Sequence, residues 1–588
     1  MNPGFKFLGE NTGGTSCDAK ERKADMGQKP DINFKYETAL IKRSALRYII
    51  PATFALIFEQ IAPVVDAVCV SNGLGNEALS SFSNVSPMIW VTNIIGSLGG
   101  VGCGIMASKC LGSGEVKKAG RAFTIALKLM IVTTVIYSII SLIFLDPILK
   151  FLWCTPENIG YAKEYLTVYL MGAVFVVLSF SGAYILTDDN NPKLALCGSI
   201  VAATVNIIID VTGIFVLGQG IWITAFGTVF SNFCACIIYT FHFRKKESVC
   251  RPTLKKETND PGVLEIIKPG TAQAMMYSFV VLQTFVQNYV LSDSAGTSGL
   301  GNSAVIENLT MILAITFTGA SEAVMPLTAA YFGEKNRCGQ LMVKKTLLKM
   351  GLVIVIPLSG LIILFPHIFM AIFSVNDPVM AATLPAAIRI TCIASVINFI
   401  NLVFIYYLTA VEQEKQANIA YVIQSLTSIA AMILLMKTIA ENAPWYANLI
   451  SVTACLIFLL ACGSGKGLIA MDSENVLLMT GIHKKEGSLS DWRSLASKVL
   501  TKEQVDIVGK KMMEPFDTVL KITEDPLCVF LVLDAEDGHK NVILRYDSKT
   551  DEDAESEAET EDRDCKCICS EFNSLKRMMI IFDEGDNQ

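Results

Sequence analysis

The chain has 588 residues, of which 52% are hydrophobic and 18% are charged, and its formal net charge at pH 7 is −7. Its mean hydropathy is +0.47. These values exclude an ordinary soluble protein and indicate a membrane protein.

The first 46 residues predict a tail. They are polar and rich in Lys, Asp and Gly, a composition that buries too little apolar surface to fold alone. No cleavable signal peptide is recognisable in this segment. We therefore expect residues 1–46 to form a flexible cytoplasmic tail.

The apolar part of the chain reads as two related halves. Leu74-Gly75-Asn76 returns as Leu300-Gly301-Asn302, and Leu186-Thr187 returns as Leu408-Thr409. Each half holds six apolar runs, and an even number of spans gives both halves the same orientation. Many secondary transporters are built in this way.

The apolar runs predict the fold class, an all-α polytopic membrane protein with twelve transmembrane helices in two six-helix repeats. The lobes are expected at 47–243 and 264–465, with a cytoplasmic linker at 244–263. Each run is long enough to cross a hydrocarbon core of roughly 30 Å. They lie near 47–71, 84–107, 121–145, 162–186, 194–217, 221–242, 264–291, 303–328, 342–372, 382–409, 416–436 and 445–463.

Lys and Arg are unevenly distributed between the loops on the two sides. One side carries little beyond Lys150, Lys163 and Lys437. Cytoplasmic loops are enriched in basic residues, so we expect both termini inside and a multi-pass location in the cell membrane, plasma or inner. The basic side carries Lys42, Arg43, Lys109, Lys117, Lys118, Arg121, Lys193, Arg244, Lys245, Lys246, Lys255, Lys256, Lys335, Arg337 and Lys415.

Four polar residues of the first half fall at one predicted depth. Asp66 in span 1, Asp210 in span 5 and Thr228 in span 6 lie roughly 9 to 12 Å below the outer surface, at about 1.5 Å per residue. Asn206 shares a helix face with Asp210, because residues four apart stack. Intramembrane acids are costly and mark functional sites, and an oxygen-only set suits Na⁺ or a shared proton. Asn206 and Thr228 have an alternative role as interhelical hydrogen-bonding groups.

Glu59 lies two turns from Asp66 on the same face of span 1. It is a candidate proton relay or substrate anchor, or alternatively a protonated carboxyl bonded to a neighbouring span. The role of Arg389 in span 10 is left open.

The second half contributes uncharged candidates. Gln283 and Gln287 in span 7, with Asn398 and Asn401 in span 10, line a substrate path or bond neighbouring helices.

Spans 1 and 5 carry short motifs that resemble those of one transporter family. The motifs are Val65-Asp66-Ala67, the run Gly73-Leu74-Gly75-Asn76-Glu77-Ala78-Leu79-Ser80, Asn191-Pro192-Lys193, and Asn206-Ile207-Ile208-Ile209-Asp210. With them the sequence is similar to multidrug and toxic compound extrusion (MATE) transporters over roughly residues 40–465, in the branch of DinF-like and MepA-like exporters.

That resemblance implies a cation or proton site at Asp66, Asn206, Asp210 and Thr228. The chain departs from the family at Glu59, where an uncharged residue is usual. It also lacks a mid-span acid in spans 7 and 10, which favours coupling through the N-terminal lobe only.

Residues 466–588 differ in composition and predict a small cytoplasmic α+β region. Strand-like runs occur at Phe530–Leu533, Val542–Tyr546 and Met578–Phe582. The acidic segment 551–564 predicts disorder. The order of elements faintly resembles a degenerate histidine-kinase-like ATPase, without a recognisable nucleotide loop.

The cysteines of this region alternate as C-x-C-x-C at Cys565, Cys567 and Cys569. That spacing is not a standard zinc motif. It favours a strand or exposed thiols, with lipidation or soft-metal binding as alternatives.

The function that these features predict is secondary active export of small amphiphilic, cationic substrates, coupled to inward H⁺ or Na⁺ by alternating access. We expect no enzymatic activity, no cofactor beyond the coupling ion, no nucleic-acid partner, contact with membrane lipid, and a monomer. The alternatives are a flippase for a lipid-linked saccharide and a membrane sensor that signals through the C-terminal region.

Overall fold

The computed structural model describes residues 33–582 with internal gaps. The residues outside the description are 1–32, 114, 153, 155, 157, 190, 246–247, 249, 254–259, 368–369, 371–377, 440–441, 466–474, 483–487, 514–515, 517–527, 535–539, 548–559, 563–564, 573–574 and 583–588. The predicted flexibility of residues 1–32 and most of the predicted acidic disorder therefore lie outside the described residues.

Helices make up nearly all of the apolar part. In the first half they are α1 (Phe34–Leu74), α2 (Asn76–Gly96), α3 (Gly102–Ser113), α4 (Val116–Ile143), α5 (Leu145–Phe151), α6 (Ile159–Asp188), α7 (Pro192–Val211) and α8 (Trp222–Phe243). After the short α9 (Val263–Ile267), the second half has α10 (Thr271–Glu322), α11 (Val324–Gly333), α12 (Arg337–Leu364), α13 (Pro378–Ala410), α14 (Glu414–Ile439) and α15 (Ala443–Ala461).

Within the described residues, ten helices are long and apolar enough to cross a membrane, or eleven if a bent pair counts as one span. Each predicted span of the first half matches one of these helices, with ends that overshoot the helix by at most two residues. Predicted spans 7 and 8 differ, because α10 runs for 52 residues through the expected loop between them. Helix propagation is cooperative and gains one hydrogen bond per added residue, so a polar, glycine-containing stretch does not by itself end a helix.

The first helix begins earlier than the sequence predicts. Residues 34–46 belong to α1 instead of the flexible tail, and the Asn33 side chain caps the helix by accepting from the Lys35 amide at 3.1 Å. Leu40 and Ile41 are buried in the main core. Burial of this apolar face stabilises a segment whose average composition is polar.

The two halves approach closely at one end of the bundle. A Cβ on Gly112 of α3 would lie 2.1 Å from the Ala330 carbonyl oxygen of α11, and a Cβ on Gly333 would lie 2.2 Å from the Lys109 carbonyl oxygen. Only glycine permits such backbone contact. We call the end of the bundle that carries Gly112 and Gly333 the glycine end.

The C-terminal region contains a six-stranded antiparallel sheet with two flanking helices, α16 (Ser488–Ala496) and α17 (Lys502–Val508). The strand order is β1-β2-β3-β6-β5-β4. The strands are β1 (Val476–Ile482), β2 (Cys528–Asp534), β3 (Lys540–Asp547), β4 (Thr560–Asp562), β5 (Cys565–Phe572) and β6 (Leu575–Phe582).

The three predicted strand runs of this region are confirmed as parts of β2, β3 and β6. The cysteine alternation lies on β5, as the strand interpretation predicts. The prediction of disorder is wrong for Thr560–Asp562, which pairs antiparallel with the start of β5. Ladder hydrogen bonds satisfy this acidic backbone despite its charge.

Candidate ion-coupling site

Two helices of the first half carry the acids that the sequence singles out. Asp66 lies on α1, and Asn206 and Asp210 lie one turn apart on α7. All three side chains are buried, with relative exposures of 5%, 3% and 0%. The four-residue spacing turns both α7 side chains toward α1.

These side chains form a compact cluster. The Asp66 carboxyl lies within interaction distance of both Asp210 and Asn206. Helix α8 closes the cluster through Gly227, where an added Cβ would lie 2.8 Å from Asp210 Oδ1 and 3.3 Å from Asn206 Nδ2. The α8 backbone therefore approaches the polar atoms directly, and three helices meet at one point.

Five of the six polar side-chain atoms of the cluster have no hydrogen-bond partner among the described residues. These atoms are Asp66 Oδ1, both carboxyl oxygens of Asp210, and both polar atoms of Asn206. A buried ionised carboxyl without a partner is costly, and two adjacent carboxylates repel each other. A shared proton or a small hard cation relieves both costs, and the oxygen donors fit either.

Thr228 lies one residue beyond Gly227 on α8 and is half-buried. Its hydroxyl donates to the Thr224 carbonyl at 3.0 Å, an intrahelical bond that leaves the hydroxyl lone pairs available. The same side chain lies within hydrogen-bonding reach of Tyr165 on α6, which also interacts with Asp66 and Asp210.

Tyr165 is a neighbour of the site that the sequence reasoning missed. It is 2% exposed and stacks on Tyr169 with ring centroids 6.1 Å apart. Its signal was the recurrence of tyrosine every four residues at Tyr161, Tyr165 and Tyr169, which places three phenols on one helix face.

Glu59 belongs to a second polar cluster, which joins the halves. It interacts electrostatically with Glu322 at the end of α10 and with Tyr277. The Tyr184 hydroxyl donates to Glu322 Oε1 at 3.1 Å, and Trp90 stacks on Tyr277 at 5.6 Å between centroids. The sequence predicted a role for Glu59 but did not pair it with Glu322.

The candidates of the second half mostly bond neighbouring helices. Asn401 donates to the Val452 carbonyl at 2.8 Å, and Asn398 accepts from Gln424 at 3.3 Å. These contacts are of the interhelical kind. Gln283 and Gln287 are half-buried on α10.

Arg389 is exposed and donates to the Ile363 carbonyl at 3.3 Å. Its charge is thus accompanied by a backbone acceptor on the neighbouring helix α12. This contact accounts for a cation that the sequence left without a role.

Comparison with known proteins places this arrangement in context. The MatE family model matches residues 51–212. A multidrug export protein MepA of Staphylococcus haemolyticus (strain JCSC1435) is 22% identical over 428 residues, covering 73% of this chain and 94% of the relative. A MepA protein of Staphylococcus aureus (strain NCTC 8325 / PS 47) is 21% identical over 435 residues, covering 73% and 95%.

Solved structures share the fold. An outward-facing multidrug resistance MATE family transporter of the MOP superfamily superposes with a TM-score of 0.68 at 19% identity, covering 75% of this chain and 99% of that chain. A MATE crystal structure in the bent conformation gives 0.68 at 19% identity, with coverages of 75% and 98%.

The apolar helices of the described residues indicate a polytopic membrane protein. The family model over residues 51–212, the MepA relatives and the shared fold all show a resemblance to MATE transporters.

Proposed function

We propose that the chain is a secondary active exporter that exchanges inward H⁺ or Na⁺ for outward movement of small amphiphilic cations. The observation that supports it most strongly is the buried cluster of Asp66, Asn206 and Asp210, in which Asp66 Oδ1, Asn206 Oδ1 and both Asp210 oxygens lack hydrogen-bond partners in the described part of the chain. The relatives' names, multidrug export proteins, support the direction of transport.

The proposed coupling step is neutralisation of the carboxylate pair. A proton or Na⁺ that arrives from outside binds between Asp66 and Asp210, with Asn206 and Thr228 as further oxygen donors. Neutralisation removes the repulsion and lets α1 and α7 pack more closely. Pro63 lies three residues before Asp66 inside α1 and removes one helix hydrogen bond, so α1 bends there at low cost.

Coupling requires only that ion and substrate prefer different conformations. We propose that H⁺ suffices and that Na⁺ competes for the same carboxylates. Ion binding favours one state of the halves and substrate binding favours the other, and alternation between them moves the two in opposite directions.

The substrate is proposed to bind between the halves. Glu59 and Glu322 supply negative charge, and the ring faces of Tyr277 and Trp90 attract organic cations. Glu59 serves as an anchor for the positive end of the substrate or as a relay for the proton. Gln283, Gln287, Asn398 and Asn401 are proposed to border the path.

The proposed setting is a monomer in the cell membrane, surrounded by lipid, with both termini in the cytoplasm. The uneven distribution of Lys and Arg supports this orientation. This orientation places the glycine end on the cytoplasmic side of the membrane. The proposed activity is transport and not enzymatic conversion.

The test is efflux from vesicles that carry purified protein under an imposed pH or Na⁺ gradient. Asp66→Asn and Asp210→Asn should each abolish gradient-driven efflux of a cationic dye, because a neutral amide cannot take up a proton. Asp146→Asn is the control, because Asp146 forms an exposed pair with Lys163. Wild-type efflux in either cluster variant would refute the site. If neither gradient drives dye efflux by the wild-type protein, a membrane sensor would be favoured instead.

A further inference from the structure

The C-terminal sheet is apolar on both faces. One face, which includes Phe530 and Val532, packs on the region's own helices. The other face, which includes Val529, Leu531 and Ile543, belongs to the continuous core of the transporter helices. A sheet buried on both sides has no face suited to water, so its docking on the bundle is part of its fold.

One side chain of the sheet joins both halves of the transporter. Arg577 Nη1 donates to Glu334 Oε1 at 2.7 Å and to the Gly112 carbonyl at 2.8 Å, and Nη2 donates to the Leu111 carbonyl at 2.6 Å. Leu111 and Gly112 are on α3 of the first half, whereas Glu334 follows α11 of the second half. These charge-assisted bonds are buried and are therefore among the stronger hydrogen bonds.

A second arginine reinforces the contact. Arg545 pairs with both Glu37 and Glu334, and its guanidinium lies 4.4 Å from the centroid of the Tyr331 ring. The Tyr331 hydroxyl donates to Glu37 at 2.6 Å. The sheet thereby binds the extension of α1 and the end of α11 together.

The two arginines stand directly opposite each other on neighbouring strands, with Arg545 paired to Arg577 in the β3–β6 register. Like charges in opposite positions destabilise a sheet. Glu37 and Glu334 neutralise them only when the sheet is docked. The sheet thus carries a charge pattern that favours the docked state specifically.

The docking site coincides with the glycine end. Arg577 binds the Gly112 carbonyl at the same helix ends where Gly112 and Gly333 bring the halves into backbone contact. Opening this end would move Gly112 away from Glu334 and break the arginine bridge. We propose that the C-terminal sheet is an autoinhibitory clamp that holds the glycine end closed and slows its opening.

The clamp predicts a measurable change in local opening. Hydrogen–deuterium exchange of the full-length protein in lipid nanodiscs reports opening of backbone amides. In Arg577→Ala, amides of peptides from 102–113 and 324–333 should exchange at least about tenfold faster, the scale of one lost charge-assisted hydrogen bond. Glu334 remains paired with Arg545 in Arg577→Ala. The substitution therefore does not leave a buried carboxylate without an ion-pair partner. Wild-type exchange in this variant would overturn the clamp.

Arg493→Ala is the matched control. Arg493 is an exposed arginine of α16 that stacks on Trp492 at 5.7 Å, within the same region but on the helical side of the sheet. Its exchange at 102–113 and 324–333 should equal that of the wild type. Equal acceleration in both variants would mean that general loosening of the region is responsible, and the clamp would fail.

Glu334→Gln is a second variant that tests the clamp if Arg577→Ala disturbs the folding of the sheet. If strands β2 and β3 also lose protection in Arg577→Ala, Glu334→Gln decides, because it weakens both arginine contacts from the bundle side. Faster exchange at the glycine end with protected strands supports the clamp, and unchanged exchange overturns it.

A separate measurement, the efflux rate, tests whether the clamp inhibits transport. The initial efflux rate per molecule should rise in Arg577→Ala, and a lower rate with faster opening would refute autoinhibition. Only this rate depends on the proposed export function. Exchange tests the clamp even if the wild type exports nothing.

Discussion

The close approach of α8 to the carboxylate cluster gives the sharpest test of the candidate site. In Gly227→Ala the new Cβ would lie 2.8 Å from Asp210 Oδ1, against 3.4 Å for ordinary contact. Asp210 or α8 must therefore move by about 0.6 Å. Functional constellations tolerate displacements of roughly 0.5 Å, so we expect about a tenfold rise in the cation or proton concentration for half-maximal efflux, which corresponds to roughly 1.4 kcal/mol.

The fold should tolerate the same change. Overpacking typically costs about 1 to 3 kcal/mol, and Ala favours helix by about 1 kcal/mol over Gly. Membrane levels of Gly227→Ala should thus remain close to those of the wild type.

Gly360→Ala on α12 is the matched control, because an added Cβ there meets nothing within 4 Å. The assay is dye efflux from vesicles over a series of external pH values and Na⁺ concentrations, normalised to protein. If Gly227→Ala and Gly360→Ala show the same ion dependence, the α8 backbone does not border the coupling site and the reasoning fails.

Three further outcomes follow from the two polar clusters. Asn206→Ala should raise the half-maximal ion concentration more than Thr228→Ala, because Asn206 interacts directly with Asp66, whereas the Thr228 hydroxyl donates to the Thr224 carbonyl of its own helix. Titrated efflux measures both, and the reverse order would contradict the geometry. A pH gradient alone, without Na⁺, should drive efflux in wild-type vesicles, and a strict need for Na⁺ would refute the proposed sufficiency of H⁺. Glu322→Gln should weaken substrate affinity while leaving the ion dependence of efflux unchanged, as equilibrium dye binding beside the efflux titration would show; an altered ion dependence with normal dye binding would assign Glu322 to coupling.

The carboxylate cluster could be predicted because its signals are local. Asp66, Asn206 and Asp210 stand out as polar residues in apolar spans, and counting residues from span ends places Asp66 and Asp210 at one depth. Helical periodicity then puts Asn206 and Asp210 on one face. The structure places the three side chains in one buried cluster, and their role in coupling stays a prediction.

The surroundings of that cluster could not be predicted from these signals. Tyr165 and Gly227 border the site through the packing of α6 and α8, and no periodicity states which helices become neighbours. Glu59 and Glu322 are separated by more than two hundred residues, and each alone reads as an isolated acid. Pairing them requires the arrangement of the two halves.

The docking of the C-terminal sheet could not be predicted from the sequence. Composition marks 466–588 as polar and separate, and the strand runs show only that a sheet exists. The decisive contacts join Arg545 and Arg577 to Glu37 and Glu334, residues from three distant parts of the chain. Each of them reads as an ordinary surface charge by itself. A buried ion pair stabilises only when its partners converge with good geometry. The same four charges therefore oppose docking when misplaced and favour one orientation when aligned, which is the property that the proposed clamp between the two halves requires.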